Sequence, residues 1–230
     1  MTAAARSRRR PALPALFLAG ALALAGCGDP AAAEGDPAAA QGDEGHAHGS
    51  GPATVEGADD RYAGLDLSEP YGRPSFTLTD TTGASFDFTD RTQGRPTLLF
   101  FGYTNCPDVC PATMADVAVA MRGMDPAVAE QVQVVFVTTD PAFDTPAVLG
   151  EYLDRFDADL PSQFIGLTGD QELIDQAQLS AGVPLAEDDG RLHSSLLLLY
   201  GSDDAASVAF DAGNTAKDIA ADLELVVSGS

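Results

Sequence analysis

Over the last two thirds of the chain, short apolar runs alternate with amphipathic stretches, and their periods predict the elements. Ser75-Phe76-Thr77-Leu78-Thr79 and Ser85-Phe86-Asp87-Phe88 alternate polar and apolar residues on either side of Thr81-Thr82-Gly83, the period-two signature of a hairpin. Pro96 precedes Thr97-Leu98-Leu99-Phe100-Phe101, a continuous apolar run that predicts a strand buried on both faces. A helix over about 112–124 and a second buried strand over 132–137 complete a β-α-β unit. Thr145 and Pro146 read as N-cap and first residue of a helix reaching about Phe156, with Leu149, Tyr152, Leu153 and Phe156 on one face. Residues 163–167 predict a short strand, and 171–181 a helix closed by Gly182 and Pro184. Strands over 196–200 and 207–210 flank the polar turn 201–204, and a helix over about 215–227 ends the domain. The strand over 196–200 is expected beside the one that leads into Cys106. This order describes an α/β thioredoxin-like sandwich with an N-terminal β-hairpin and insertions.

The first 26 residues read as an export signal rather than as part of the fold. Arg6, Arg8, Arg9 and Arg10 form a basic start, and residues 13–25 form an apolar core interrupted by Pro14. That core falls short of the roughly 20 residues that span a bilayer. Leu24-Ala25-Gly26-Cys27 is similar to the bacterial lipoprotein box, in which the cysteine is acylated and becomes the new N-terminus. Cys27 is therefore expected to hold the chain on the outer face of the cell membrane, at about 0.8 kcal/mol per buried CH₂. Residues 27–64, rich in Ala, Gly, Asp and Glu, read as a lipidated, acidic tether. Its His46-Ala47-His48 is a candidate transient metal site, with plain polar linker as the blander reading. Residues 65–230 have the length of one domain with one core.

Charge narrows the partners. The chain carries 35 acidic residues against 12 basic ones. Loss of the four signal arginines leaves eight basic residues and a balance of −27. Such a surface repels nucleic acid and anionic lipid, so attachment to a membrane rests on acyl chains and not on a basic patch. Cysteine usage is equally restrictive: of three cysteines, lipidation of Cys27 leaves only Cys106 and Cys110. A scaffold stapled by several disulfides is excluded.

Those two thiols lie in Phe101-Gly102-Tyr103-Thr104-Asn105-Cys106-Pro107-Asp108-Val109-Cys110-Pro111, where the buried strand gives way to a helix. A helix N-terminus favours thiolate over thiol, so the pair is suited to redox exchange or to a soft metal; a structural disulfide is the alternative. Three residues separate the cysteines, one more than in the efficient Cys-x-x-Cys exchange motif. If Cys110 falls in the first helical turn, the spacing brings both sulfurs to one side. Pro107 and Pro111 restrict the backbone there, and Asp108 reads as a turn former. His193, in Arg191-Leu192-His193-Ser194-Ser195, is the domain's single histidine. Two thiolates and one imidazole suit Cu(I), and a further ligand would accommodate Cu(II). Zinc accepts the same donors, but its structural sites use four.

The cysteine segment, Asp140-Pro141-Ala142-Phe143-Asp144-Thr145-Pro146, Gly166-Leu167-Thr168-Gly169 and His193-Ser194 together resemble the SenC/Sco family in order and spacing, from about Pro74 to the C-terminus. The resemblance implies a membrane-tethered, thioredoxin-like copper metallochaperone that serves the dinuclear copper centre of cytochrome c oxidase. It implies Cys106, Cys110 and His193 as copper ligands, with Asp140 as a residue orienting the site or capping its loop. The implied partners are the oxidase's copper-bearing subunit and other copper chaperones or thiol reductants. Asn105 stands where many relatives have histidine, and Phe143 where arginine is usual. The alternative function is a thiol-disulfide oxidoreductase in which Cys106 attacks and Cys110 resolves. Against it stand the spacing and the occurrence of His193-Ser194 where such enzymes carry a cis-proline.

Overall fold

The computed structural model describes residues 61–186 and 194–229; Cys27, His46, His48 and His193 lie outside them. In chain order the elements are β1 (Leu65–Gly72), β2 (Thr77–Asp80), β3 (Ser85–Asp87), α1 (Phe88–Thr92), β4 (Thr97–Gly102), α2 (Val109–Gly123), α3 (Pro126–Ala129), β5 (Gln133–Thr138), α4 (Pro146–Asp157), β6 (Ile165–Thr168), α5 (Gln171–Ser180), β7 (Leu197–Tyr200), β8 (Ala205–Phe210) and α6 (Ala216–Ser228). The strands form one sheet in the order β1-β8-β7-β4-β5-β6-β2-β3. Strands β4, β5 and β6 are parallel neighbours, and β7 runs antiparallel to β4.

Strand β4 lies in the middle of the sheet and is buried at every residue. Its alternate side chains supply two core layers. Leu98 and Phe100 pack with Met114 and Val117 of α2, Leu149 and Tyr152 of α4, and Leu223 of α6. Leu99 and Phe101 pack on the opposite face with Phe76, Leu78, Ile174 and Ala177. Each such large apolar side chain contributes about 1.5–3 kcal/mol on burial. The sandwich is thus helix, sheet and helix, with β4 delivering the cysteine loop from its centre. The register pairs Phe100 of β4 with Leu197 of β7, so β7 starts at the end of the sheet where β4 finishes.

Local signals account for most boundaries. The Thr145 hydroxyl accepts the Val148 N–H at 3.4 Å, with Pro146 opening α4. Thr215 and Asp218 form a reciprocal capping box on α6, satisfying donors that a helix start leaves orphaned. Gly182, at φ +70°, closes the turn after α5 in a conformation that costs glycine little.

The differences have physical reasons. Helix α2 starts at Val109, three residues before the predicted start, because Pro111 in the first turn needs no hydrogen-bond partner for the N–H it lacks. Phe88 leaves the second hairpin strand and opens α1, capped by Asp87 accepting from the Asp90 N–H at 3.0 Å. Strand β1 was not predicted: it is a mostly exposed edge strand containing Pro70, with no buried alternation to read. The short α3 offers too few turns for a periodic signal. Structure also begins before Leu65. Tyr62 packs against the core, and the N–H groups of Ala63 and Gly64 donate to the buried Asp222 carboxylate at 2.9 and 2.8 Å. Among the described residues, no helix is long and apolar enough to cross a membrane.

Candidate functional site

The loop between β4 and α2 holds the two cysteines with no disulfide between them, Cys106 half-buried and Cys110 fully buried. Cys110 is the second residue of α2, whose N-cap, the exposed Asp108, makes no side-chain capping bond. The vacant capping role falls to sulfur: the Cys110 N–H donates to Cys106 Sγ at 3.4 Å. Cys106 therefore sits against the positive end of a 15-residue helix.

The two thiols are driven apart electrostatically. Burial alone would raise the Cys106 pKa, but the N–H groups of Asp108 and Cys110, the Cys110 thiol and the Tyr103 hydroxyl all bond its sulfur and bring it below the ordinary thiol value. Burial dominates at Cys110 and pushes its thiol up, and the neighbouring Cys106 pushes in the same direction. The pair thus comprises an accessible sulfur prepared for negative charge and a buried one that keeps its proton in the dithiol state.

Close approach at the strand end makes room for Cys110. A Cβ on Gly102 would lie 2.8 Å from Phe100 Cε1, 3.0 Å from Cys110 Sγ and 3.2 Å from Phe136 Cζ. Only a residue without a side chain lets the second sulfur settle onto the end of β4.

Asp144 anchors the loop, a role the sequence reading did not give it. Fully buried, its carboxylate accepts the Thr104 N–H at 3.0 Å, the Thr104 hydroxyl at 2.5 Å and the Thr138 hydroxyl at 2.6 Å. Its carbonyl accepts the Thr168 hydroxyl at 3.1 Å. One residue, through its carboxylate and its carbonyl, thereby fixes the cysteine loop to the ends of β5 and β6. A second acidic residue four places after Asp140 is the only sequence signal that pointed to it. Asp140 itself accepts the N–H groups of Phe143 and Asp144 through its carbonyl, at 3.1 and 2.9 Å. An open cleft of about 740 Å³ borders the cysteine loop, between Tyr103, Asn105 and Pro107 on one side and Asp140 and Phe143 on the other. Asn105 and Phe143, where the motif departs from the family pattern, thus line the same cleft, and Phe143 is 54% exposed.

The structure brings Cys106 and Cys110 together. His193 lies outside the described residues; Ser194 to Leu196, which follow it, lead into β7 at the cysteine end of β4. Among the described residues, no group of three or more His, Cys, Asp and Glu side chains is arranged to hold a metal ion.

A central strand that runs into a paired-thiol loop at a helix N-terminus, inside a three-layer α/β sandwich, defines a thiol-bearing protein of the thioredoxin-like class. Within that class the chain belongs to the SCO1/SenC family, whose model matches residues 67–228. It is 43% identical to the protein SenC of Rhodobacter capsulatus over 129 residues, 51% of this chain and 52% of that one, so it spans about half the length of that relative. It superposes on the copper-bound structure of Bradyrhizobium japonicum ScoI with a TM-score of 0.56 and 34% identity, over 68% of this chain and 99% of that one. A SCO1/SenC family lipoprotein of Bacillus anthracis superposes with a TM-score of 0.59 and 26% identity, over 70% and 98% of the two chains.

Proposed function

We propose that this protein is an exported copper metallochaperone, held on the outer face of the cell membrane by a lipid on Cys27, that delivers copper to the copper-bearing subunit of cytochrome c oxidase. Cys106 and Cys110 bind the ion as thiolates and His193 supplies the third donor. The observation that carries this reading is the hydrogen-bonded sulfur pair at the N-terminus of α2, with the donors around Cys106 holding its pKa below the ordinary thiol value. A soft, thiolate-rich donor set suits Cu(I), and the imidazole extends it towards Cu(II). Membership of the SCO1/SenC family and the likeness to a copper-bound ScoI support copper as the cargo. The likeness to a SCO1/SenC lipoprotein supports the anchor. Release to the acceptor then proceeds by exchange of sulfur ligands, which requires both cysteines reduced; other copper chaperones and thiol reductants supply the metal and keep the pair in that state.

The test is reconstitution of the reduced protein with copper, followed by competition against a chelator of known affinity. The wild type is expected to retain about one copper. Loss of Cys106, Cys110 or His193 is expected to weaken retention by about ten-fold or more, the order of effect of removing one metal ligand or its support. Full retention by His193→Ala overturns the three-donor site. A Cys27→Ser variant that stays with the membrane fraction overturns the anchor.

The asymmetry of the two thiols favours one further reading, a thiol-disulfide oxidoreductase with Cys106 attacking and Cys110 resolving. Rapid turnover of a disulfide substrate by protein that takes up no copper would reverse the order of the two.

A further inference from the structure

A groove of about 210 Å³ opens between the start of α2 and the turn that leads from β8 into α6. Leu197, Phe210 and Ile219 line it and are at most 2% exposed, so its floor is the edge of the core. Asp108, Asp116 and Asp211 line it too, and among the described residues none of the three pairs with a cation. Asp108 lies between Cys106 and Cys110 in the chain, so an occupant of this groove reaches the cysteine loop.

The outer face of α2 continues the groove. From Val109 to Met121 the helix holds one charged residue, Asp116. A helix so apolar around its circumference belongs among partners on every side. Yet Ala112, Ala115 and Val119, spaced three and four residues apart on one face, are exposed, Val119 by 54%. An apolar surface left open beside a charged rim marks an interaction site.

We propose that this groove and the adjoining face of α2 dock the protein that exchanges copper with Cys106 and Cys110, through a segment that presents an apolar side chain flanked by lysine or arginine. Charge selects that occupant. A second copy carries the same 35 acidic residues against 12 basic ones, and the chain's own residues 28–60 include aspartates and glutamates but no lysine or arginine. An acidic rim repels both, whereas it attracts and steers a cationic segment. The apolar floor then removes the segment's central side chain from water, which holds the complex once charge has brought it in. The inference rests on the copper reading given above.

The test is Asp116→Lys combined with Asp211→Asn. Asparagine keeps an acceptor for the Gly213 N–H, which Asp211 Oδ1 receives at 2.7 Å. Glu130→Lys with Glu151→Gln is the matched control, the same change of charge at exposed positions outside the groove. The probe is the purified soluble copper-bearing domain of the oxidase subunit. Its affinity for the copper-loaded chain is measured, with copper retention against a chelator read alongside. The groove variant is expected to bind the probe about ten-fold more weakly with copper retention as in wild type, and the control to bind it as wild type does. Equal weakening in both variants, or in neither, overturns the docking site while leaving the copper reading intact. So does a groove variant that loses copper in parallel, because the effect then lies at the metal. A photo-cross-linker in place of Val119 identifies the occupant: cross-links to the probe are expected, and cross-links to a second copy or to residues 28–60 instead overturn the assignment. A wild type that takes up no copper overturns the copper reading itself, and this inference with it.

Discussion

Thr104 and Asp144, 40 residues apart, are joined by two hydrogen bonds, from the threonine N–H at 3.0 Å and from its hydroxyl at 2.5 Å, to the two oxygens of one buried carboxylate. The oxygen that accepts the N–H, Oδ2, also accepts the Thr138 hydroxyl. Asp144→Ala leaves three donors without their acceptor. At about 1–3 kcal/mol for each buried group left unpaired, offset by relaxation of the loop, the expected loss is about 2–4 kcal/mol in denaturant unfolding. Because the same bonds hold the cysteine loop, Cys110 in the variant should be alkylated faster than in wild type under native conditions. Unchanged protection of Cys110 would show that the loop is fixed by other contacts.

The two thiols should react at different rates. Cys106 is half-buried, with its pKa held down by N–H and O–H donors, whereas Cys110 is fully buried, with its pKa pushed up. Since thiolate is the reacting species, iodoacetamide at neutral pH should modify Cys106 at least ten-fold faster. Peptide mass spectrometry over a time course reads the two rates separately. Equal rates would contradict the assignment of Cys106 as the prepared sulfur.

Gly102→Ala tests the close approach at the strand end. Its Cβ would meet Phe100 at 2.8 Å and Cys110 Sγ at 3.0 Å, so a ring and a sulfur must both shift. Overpacking of this kind costs about 1–3 kcal/mol, and the displaced sulfur should also alter copper retention. A variant of wild-type stability and retention would mean that the end of β4 is softer than its burial implies.

The far end of the sheet offers a pH test. Arg73, its side chain 2% exposed, donates to Asp204 Oδ1 at 2.6 Å, to the Thr92 hydroxyl and to the carbonyls of Arg95 and Gly201. The Gly94 N–H and the Arg73 guanidinium together hold Asp204 below the ordinary carboxylate pKa. The native state then binds fewer protons than the unfolded state at mildly acidic pH. The stability from Asp204 is complete above the unfolded value, near 3.9, and is lost as the pH falls through the lower native value. Unfolding followed between about pH 6 and pH 2 should show a shallower acid loss in Asp204→Asn than in wild type. Asparagine tolerates the left-handed backbone at this position, φ 60°, so the comparison reports on the charge.

Most elements were legible because their causes are local. Alternation around Thr81-Thr82-Gly83 marked the first hairpin, and the unbroken run from Thr97 to Phe101 marked a strand with no wet face; both are present. Thr145-Pro146 placed the start of α4 to the residue. The edge strand β1 was not legible, since a strand exposed along most of its length has no apolar rhythm. The early start of α2 was missed because a proline in the first turn looks like a boundary whether it opens the helix or sits inside it.

The sequence by itself determined that a buried strand ends in a paired-thiol loop at a helix N-terminus, because each of those features is written within one pleat or one helical turn. Only the tertiary structure decided that Asp144 rather than Asp140 ties that loop down by its carboxylate. It alone decided that Gly102 makes room for the Cys110 sulfur. The side chains in these contacts come from separate elements. They meet only when parallel strands fix the register of the loops at one end of the sheet and a helix layer closes over them, and no local period encodes that meeting.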